Sequence, residues 1–254
     1  MAIERLKRLT MRADSIYIPK SNPSNPRGED ANFISNEAQV IAVADGVGGW
    51  AGKGIDAGNY ARQLMGNAAH IVKKHSGGFQ AADLCPRQIL QEAFLKTDAP
   101  GSSTACIISL AGNHLRAANL GDSGFMVIRG GKSFYRSPVQ HHSFNFPYQM
   151  GKSSGGVDAA EEVVVAVERG DIVVLGTDGL FDNVFPEDIE RIVEFCLENR
   201  YIPVLVAWML AMEASRNSLD TRAASPFQLA AHDAGVEHFG GKYDDITVVV
   251  AFIV

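Results

Sequence analysis

A chain of 254 residues with 46% hydrophobic and 20% charged positions is long and apolar enough to bury one large core or two small ones, and carries no disorder signature. Its formal net charge of −6 argues against nucleic acid or an anionic membrane as the main partner, because those surfaces need clustered Lys and Arg. Cys85, Cys106 and Cys196 are an odd number without a Cys-x-x-Cys pair, which suits a reducing compartment and small buried side chains better than disulfides or zinc. The longest apolar candidate, 202–212, is interrupted by Pro203 and Trp208 and falls short of the roughly 20 residues of a membrane span.

At the amino terminus, Arg5, Lys7, Arg8 and Arg12 alternate with Ile3, Leu6 and Leu9 in the manner of the end of an organelle transit peptide; a frayed terminus is the simpler alternative. Residues 1–14 are expected to be a flexible segment before a single domain over 15–254. Strands are expected at 15–18, 31–35 and 39–44, separated by the loop of Pro19, Pro23, Pro26 and Gly28 and by the turn at Asn36 and Glu37. Asp56 is placed to cap a helix whose Tyr60, Ala61, Leu64, Met65, Ala68, Ile71 and Val72 follow a 3.6-residue period, and Pro86 opens a second helix. Strands at 104–110, 115–120, 125–128 and 133–136 read as an antiparallel meander, and 137–160 as an irregular flap-like insertion without sustained period. Strands at 162–167 and 171–175 read as a hairpin around Arg169 and Gly170, followed by helices at 186–200, 203–217 and 225–234 and a last strand at 247–254. Asp171 reads as a turn residue, and the Trp208 and Met209 stripe as core. No repeat or linker divides the chain, so the expected class is α+β: two packed antiparallel sheets with helices on both sides, a four-layer sandwich.

Three apolar runs each carry an acid at a strand end: Val43-Ala44-Asp45-Gly46, Leu175-Gly176-Thr177-Asp178-Gly179, and Asp244-Asp245-Ile246-Thr247. Carboxylates beside continuous apolar strands are costly to desolvate singly, so they either reach solvent or share a cation. Carboxylates, carbonyls and water are the hard oxygen ligands that suit magnesium or manganese.

Glu29-Asp30, Ala44-Asp45-Gly46, Gly101-Ser102-Ser103-Thr104-Ala105, Asn119-Leu120-Gly121-Asp122-Ser123, Thr177-Asp178-Gly179-Leu180-Phe181-Asp182 and Asp244-Asp245-Ile246-Thr247, in that order across almost the whole chain, resemble the metal-dependent serine/threonine protein phosphatases of the 2C type. Gly48-Gly49-Trp50 and Phe144-Asn145-Phe146 resemble its short-flap organellar subgroup, which implies a mitochondrion or plastid; a cytoplasmic location is the alternative. The resemblance implies hydrolysis of phosphoserine and phosphothreonine by a water or hydroxide bridging two Mg2+ or Mn2+ ions, without a phosphoenzyme. It makes Asp45, Asp178 and Asp244 the catalytic acids, with Asp45 bridging the metals, the Gly46 carbonyl beside it, and Glu29 and Asp30 as further ligands. Asp122 and Asp182 match positions that hold a third ion in some members. The implied partners are phosphoproteins, with no nucleic acid, and the chain is expected to be a monomer.

Two positions depart from the family pattern. Asn25 stands where many members have a phosphate-binding Arg, which leaves Arg27 as the candidate, and Val47 stands where some have a His that protonates the leaving group. His141 and His142 are candidates for that proton. The departures motivate a rival reading, a phosphatase-like binding module without turnover; another two-metal hydrolase such as a nuclease is a second rival, disfavoured by the lack of a basic groove. Gly46-x-Gly48-x-x-Ala51 imitates a dinucleotide fingerprint, but Asp45 would repel a pyrophosphate and no βαβ unit follows; Gly151-Lys152-Ser153 imitates a P-loop whose first glycine is replaced by Phe146.

Overall fold

The computed structural model describes residues 8–23, 25–76 and 85–254. One antiparallel sheet is ordered β1 (Met11–Ile18), β12 (Ile246–Ile253), β11 (Ile172–Gly176), β6 (Gly124–Arg129), β7 (Lys132–Arg136). The other is ordered β10 (Glu161–Ala166), β5 (His114–Leu120), β4 (Ala105–Ala111), β3 (Val40–Asp45), β2 (Asp30–Ser35). Helices α1 (Ala57–Ser76) and α2 (Pro86–Leu95) cover the second sheet; α4 (Pro186–Glu198) and α5 (Pro203–Leu219) cover the first.

The layering explains why the central strands are apolar at every position. Ile41 and Val43 of β3 pack against Val173 and Leu175 of β11 and Val249 and Ala251 of β12 between the sheets, while Val40, Ala42 and Ala44 turn outward onto Leu64 and Ala68 of α1. Val174, Val248 and Val250 turn outward onto Val206 and Leu210 of α5. Successive side chains point to opposite faces, and both faces are buried. Asp56 accepts the N–H of Gly58 at 2.9 Å and so caps α1 as expected. The four-layer α+β sandwich expected from the pattern is the architecture observed. Among the described residues, no helix is long and apolar enough to cross a membrane.

Several local expectations are corrected. Strand β1 starts at Met11, four residues before the expected 15, because Met11 and Ala13 are buried between the sheets and pair with Ile253 and Ala251. The four-strand meander is two hairpins, β4–β5 and β6–β7, in different sheets. The chain crosses between them at Gly121, whose φ is +99° and where a Cβ would lie 2.5 Å from the Tyr148 carbonyl oxygen. Likewise β10 and β11 are not a hairpin: β10 pairs with β5 at one sheet edge, while β11 lies between β12 and β6. The reason is burial, since β11 is apolar on both faces and takes a central place, whereas the exposed Glu161, Glu162 and Val164 suit β10 to an edge.

The insertion at 137–160 is not wholly irregular: β8 (His141–Ser143) and β9 (Phe146–Pro147) form a small ribbon, and Met150, Val157 and Ala160 are buried against α1 and α2. Trp208 is 51% exposed, so its stripe is not core; Met209 packs only at the margin. Asp171 is not a mere turn residue but a buried partner of Arg129.

Candidate active site

Antiparallel pairing places the end of one strand beside the start of the next, and this gathers the acids. Asp45 at the end of β3 is in register with Asp30 at the start of β2. Asp178 follows β11 and opens the one-turn helix α3 (Asp178–Phe181); Asp244 precedes β12; Asp122 lies in the crossing between β5 and β6. One carboxylate oxygen from each of Asp45, Asp122 and Asp178 lies within 4.8 Å of the others. The three line a cleft of about 510 Å³ with Glu29, Gly46 and Asp244. Flap residues Asn145 and Pro147 border it on one side, Phe227 and His238 on another. The flap reaches across, with Phe144 stacking on Phe227 of α6 (Pro226–Asp233) at 5.0 Å between ring centroids.

A polar scaffold fixes this end of the sandwich. The hydroxyls of Thr177 and Thr247 donate to Asp30 Oδ2 at 2.8 and 2.7 Å, which ties the start of β2 to the opposite sheet. Asp245 Oδ1 accepts the N–H of Lys20 at 2.9 Å, and its Oδ2 accepts the N–H of Glu29 at 3.0 Å. Asp245 thus orders the loop that presents Glu29. Gly46 sits so tightly that a Cβ would lie 2.6 Å from the Ala57 carbonyl oxygen, and its N–H donates to the Glu29 carbonyl at 3.1 Å. Trp50 Nε1 donates to the Ser102 hydroxyl at 2.6 Å, and that hydroxyl donates to Gln149 Oε1 at 2.6 Å, which joins the glycine-rich turn to the flap.

Electrostatically the cleft is over-supplied with acid. Burial pushes Asp45 well above the usual carboxylate range, and Asp178 and Asp30 push it further. Burial, then Asp245, raises Asp30; burial, then Asp178, raises Asp244. Glu29 is pushed up to about 7 by burial and then by Asp245 and Asp244. Asp182 is pushed up to about 7 by burial, with Lys242 opposing the rise and Asp178 adding to it. Asp30 Oδ1, Asp122 Oδ1 and Asp178 Oδ1 are buried with no hydrogen-bond partner. Buried acceptors without donors are costly, and a hard divalent cation among them relieves both desolvation and mutual repulsion. The donor set therefore fits Mg2+ or Mn2+ at Asp45, Asp122 and Asp178.

The expected residues divide into groups. Glu29, Asp45, Gly46, Asp122, Asp178 and Asp244 share the cleft lining, and Asp30 pairs with Asp45 just behind it. Asp244 is turned toward Lys20 at 3.6 Å and Lys242 at 3.2 Å, while Asp122 stands closer to Asp45 and Asp178 than its weaker motif suggested. Asp182 is engaged by Lys242 at 3.0 Å. Arg27 does not line the cleft: it is exposed and lines a separate groove with Pro19, Asp30, Phe33 and Arg62. His141 Nε2 lies 3.1 Å from Asp122 Oδ2, a contact that raises its pKa, whereas His142 stacks on Tyr148 at 4.3 Å. Lys20 and Lys242 are the site residues that sequence reasoning missed. The available signal was the position of Lys242 two residues before Asp244 and directly after Gly240-Gly241.

Two helix-covered antiparallel sheets with carboxylates converging at one end are the architecture of the metal-dependent protein phosphatases. No protein-family model matches the chain. It is 44% identical over 249 residues to "Probable protein phosphatase 2C 55" of Arabidopsis thaliana, covering 97% of this chain and 52% of that protein. It is 38% identical over 247 residues to "Protein phosphatase PTC7 homolog fig" of Drosophila grimshawi, covering 89% of this chain and 79% of that one. The crystal structure of the photosystem II phosphatase PBCP superposes with a TM-score of 0.86 at 30% identity, covering 96% of this chain and 99% of that one. The chain belongs to the protein phosphatase 2C family, whose members are metal-dependent, and spans about half the length of the Arabidopsis relative.

Proposed function

We propose that this chain hydrolyses phosphoserine and phosphothreonine in phosphoproteins, with two divalent ions held by Asp45, the Gly46 carbonyl, Asp178 and Asp244, supported by Glu29, Asp30 and Asp122. The observation that carries the reading is the pair of buried, unpartnered oxygens on Asp122 and Asp178 in one cleft, within reach of Asp45. Bound there, Mg2+ or Mn2+ supplies neutralisation of phosphoryl oxygens and acidifies a coordinated water for direct attack on phosphorus. Asp45 and Asp178, which both line the cleft, would hold the cations there. Asp30, clamped by Thr177 and Thr247, keeps the two sheets in register behind them. Asn145, Pro147 and Phe227 wall the cleft where the phosphorylated segment lies. His141 contacts Asp122 from outside the cleft lining, and Val47, which does line the cleft, offers no proton.

The test is phosphate release from a phosphothreonine peptide with Mn2+ or Mg2+, against the same protein in EDTA. Metal-dependent release is the expected result. Tight metal binding without release would instead favour the binding-module reading. The likeness to a photosystem II phosphatase favours a plastid over a mitochondrion as the compartment, which a fluorescent fusion of the native gene product checks.

A further inference from the structure

The ammonium of Lys242 lies on the Asp178 side of the acid cluster. Its Nζ contacts Asp178 Oδ2 and lies 3.0 Å from Asp182 Oδ2 and 3.2 Å from Asp244 Oδ2. An ammonium has three N–H donors, and three carboxylates take them. The side chain is only 14% exposed, with Nζ over the ring of Phe227 at 5.3 Å.

The placement is built into the fold from the backbone outward. Asn183, fully buried directly after Asp182, holds the Lys242 peptide on both sides: its Oδ1 accepts the Lys242 N–H at 2.9 Å and its Nδ2 donates to the Lys242 carbonyl at 2.9 Å. Asn183 is fixed in turn by Asn217 of α5, whose Nδ2 donates to its carbonyl at 2.9 Å. The preceding Gly241 lies so close to α5 that a Cβ would sit 2.1 Å from the Asn217 carbonyl oxygen. A lysine on a free loop reaches acids by chance; this one is delivered by a buried clamp and a glycine that permits the approach.

The oxygens of Asp178 are divided. Oδ2 goes to Lys242, whereas Oδ1 is buried without a partner. Asp182, assigned by family resemblance to a third ion together with Asp122, is turned to Lys242. A divalent ion seated against Asp182 would face an ammonium already held there, with like charges in a poorly solvated site. The third-ion assignment therefore does not fit these residues, while Asp45, Asp122 Oδ1 and Asp178 Oδ1 remain open to a cation.

We propose that Lys242 is a resident cation that takes the place of a third metal ion, so that this protein binds two divalent ions and not three. The proposal rests on the two-ion reading of the cleft given above. Lys242 is a positioning residue: it neutralises Asp182 and one oxygen each of Asp178 and Asp244, and leaves Asp178 Oδ1 for exchangeable ions.

The test is the number of Mn2+ ions bound per chain, followed by electron paramagnetic resonance of free Mn2+ on the full chain without substrate. Wild type is expected to saturate at two. Lys242→Met, or Lys242→Gln if the first variant fails to fold, is expected to take a third ion, bound at least about tenfold more tightly than any further ion on wild type. Lys242→Arg is expected to return to two. Three ions on wild type, or two on folded Lys242→Met or Lys242→Gln, would overturn the proposal. A readout that needs no variant is the ¹⁵Nζ resonance of Lys242: at saturating Mg2+ its ammonium protons are expected to stay protected from solvent, and their loss to fast exchange overturns the proposal as well. Phosphopeptide hydrolysis is scored separately. Two ions without turnover would sink the phosphatase reading and leave Lys242 as proposed, and three ions with turnover would do the reverse.

Discussion

Asp171 and Asp178 stand at opposite ends of the same buried strand, β11, and their surroundings differ in a way that separates structure from chemistry. Asp171 receives Nε and Nη2 of Arg129 at 2.8 and 2.7 Å and the N–H of Glu168 at 2.9 Å, so both of its oxygens are occupied. Asp178 has one oxygen on Lys242 and the other buried with no donor, beside two further carboxylates. A fold gains nothing by leaving a buried acceptor unmatched next to like charges. The satisfied acid closes one end of the sandwich, and the unsatisfied one belongs to the carboxylate cluster at the other.

Exchanging each acid for its amide breaks the comparison most directly. Asp178→Asn is expected to lower metal-dependent turnover by on the order of 10²–10³-fold or more, the loss that follows removal of one preorganised electrostatic partner. The metal-free variant should melt no lower than wild type, because crowding among Asp45, Asp122 and Asp178 is relieved. Asp171→Asn should do the opposite, depressing the melting temperature while turnover per folded molecule, measured by active-site titration with metal, is retained. Equal losses of turnover in both would erase the distinction.

The pH dependence of the metal-free protein sharpens the same contrast. Glu29 and Asp182 titrate at about 7 when folded, against about 4 for ordinary carboxylates, so the folded state binds their protons more tightly than the unfolded one. Stability from these groups is fully present below about pH 4 and is lost as pH rises through about 7. Denaturant melts in EDTA should therefore show falling stability from acid to neutral pH. Saturating Mg2+ should flatten or reverse that slope, because the ion binds the deprotonated carboxylates. A flat profile in EDTA would mean that the acid end is not strained.

Smaller effects test the scaffold and the periphery. Thr247→Val removes one of two hydroxyl donors to Asp30 and should cost about 1–3 kcal/mol in urea unfolding. Arg27→Ala alters a side chain that is exposed and faces another groove, and should change stability by less than about 0.5 kcal/mol and KM for a phosphopeptide by less than about twofold. A large rise in KM would restore Arg27 as a phosphate ligand.

Much of this protein is legible in one dimension. Continuous apolar runs identify the doubly covered strands, and the 3.6-residue stripe with Asp56 and Pro86 locates the first helices, because those patterns are set by local geometry and by which faces meet water. The acids at the ends of β3 and β11 and ahead of β12 stand out for the same reason: a carboxylate next to a buried strand has few bland explanations. Sheet membership is not written locally. The turns at Gly121–Ser123 and Arg169–Gly170 look like hairpin turns, and only competition for the buried centre of each sheet sends β6 and β11 to one layer and β5 and β10 to the other.

Satisfaction of charge is likewise decided by the tertiary structure. Asp171 and Asp178 are the same residue type flanking the same strand, and only the arrival of Arg129 from β6 at one end and of Lys242 from the segment before β12 at the other makes them differ. Sequence alone determined which residues carry the acid and where strands deliver it, since side-chain chemistry and periodicity are local. Which oxygens are left unpaired, and that a lysine stands among them, depends on contacts between residues 42 and 64 positions apart, and those exist only once the two sheets and α5 have packed.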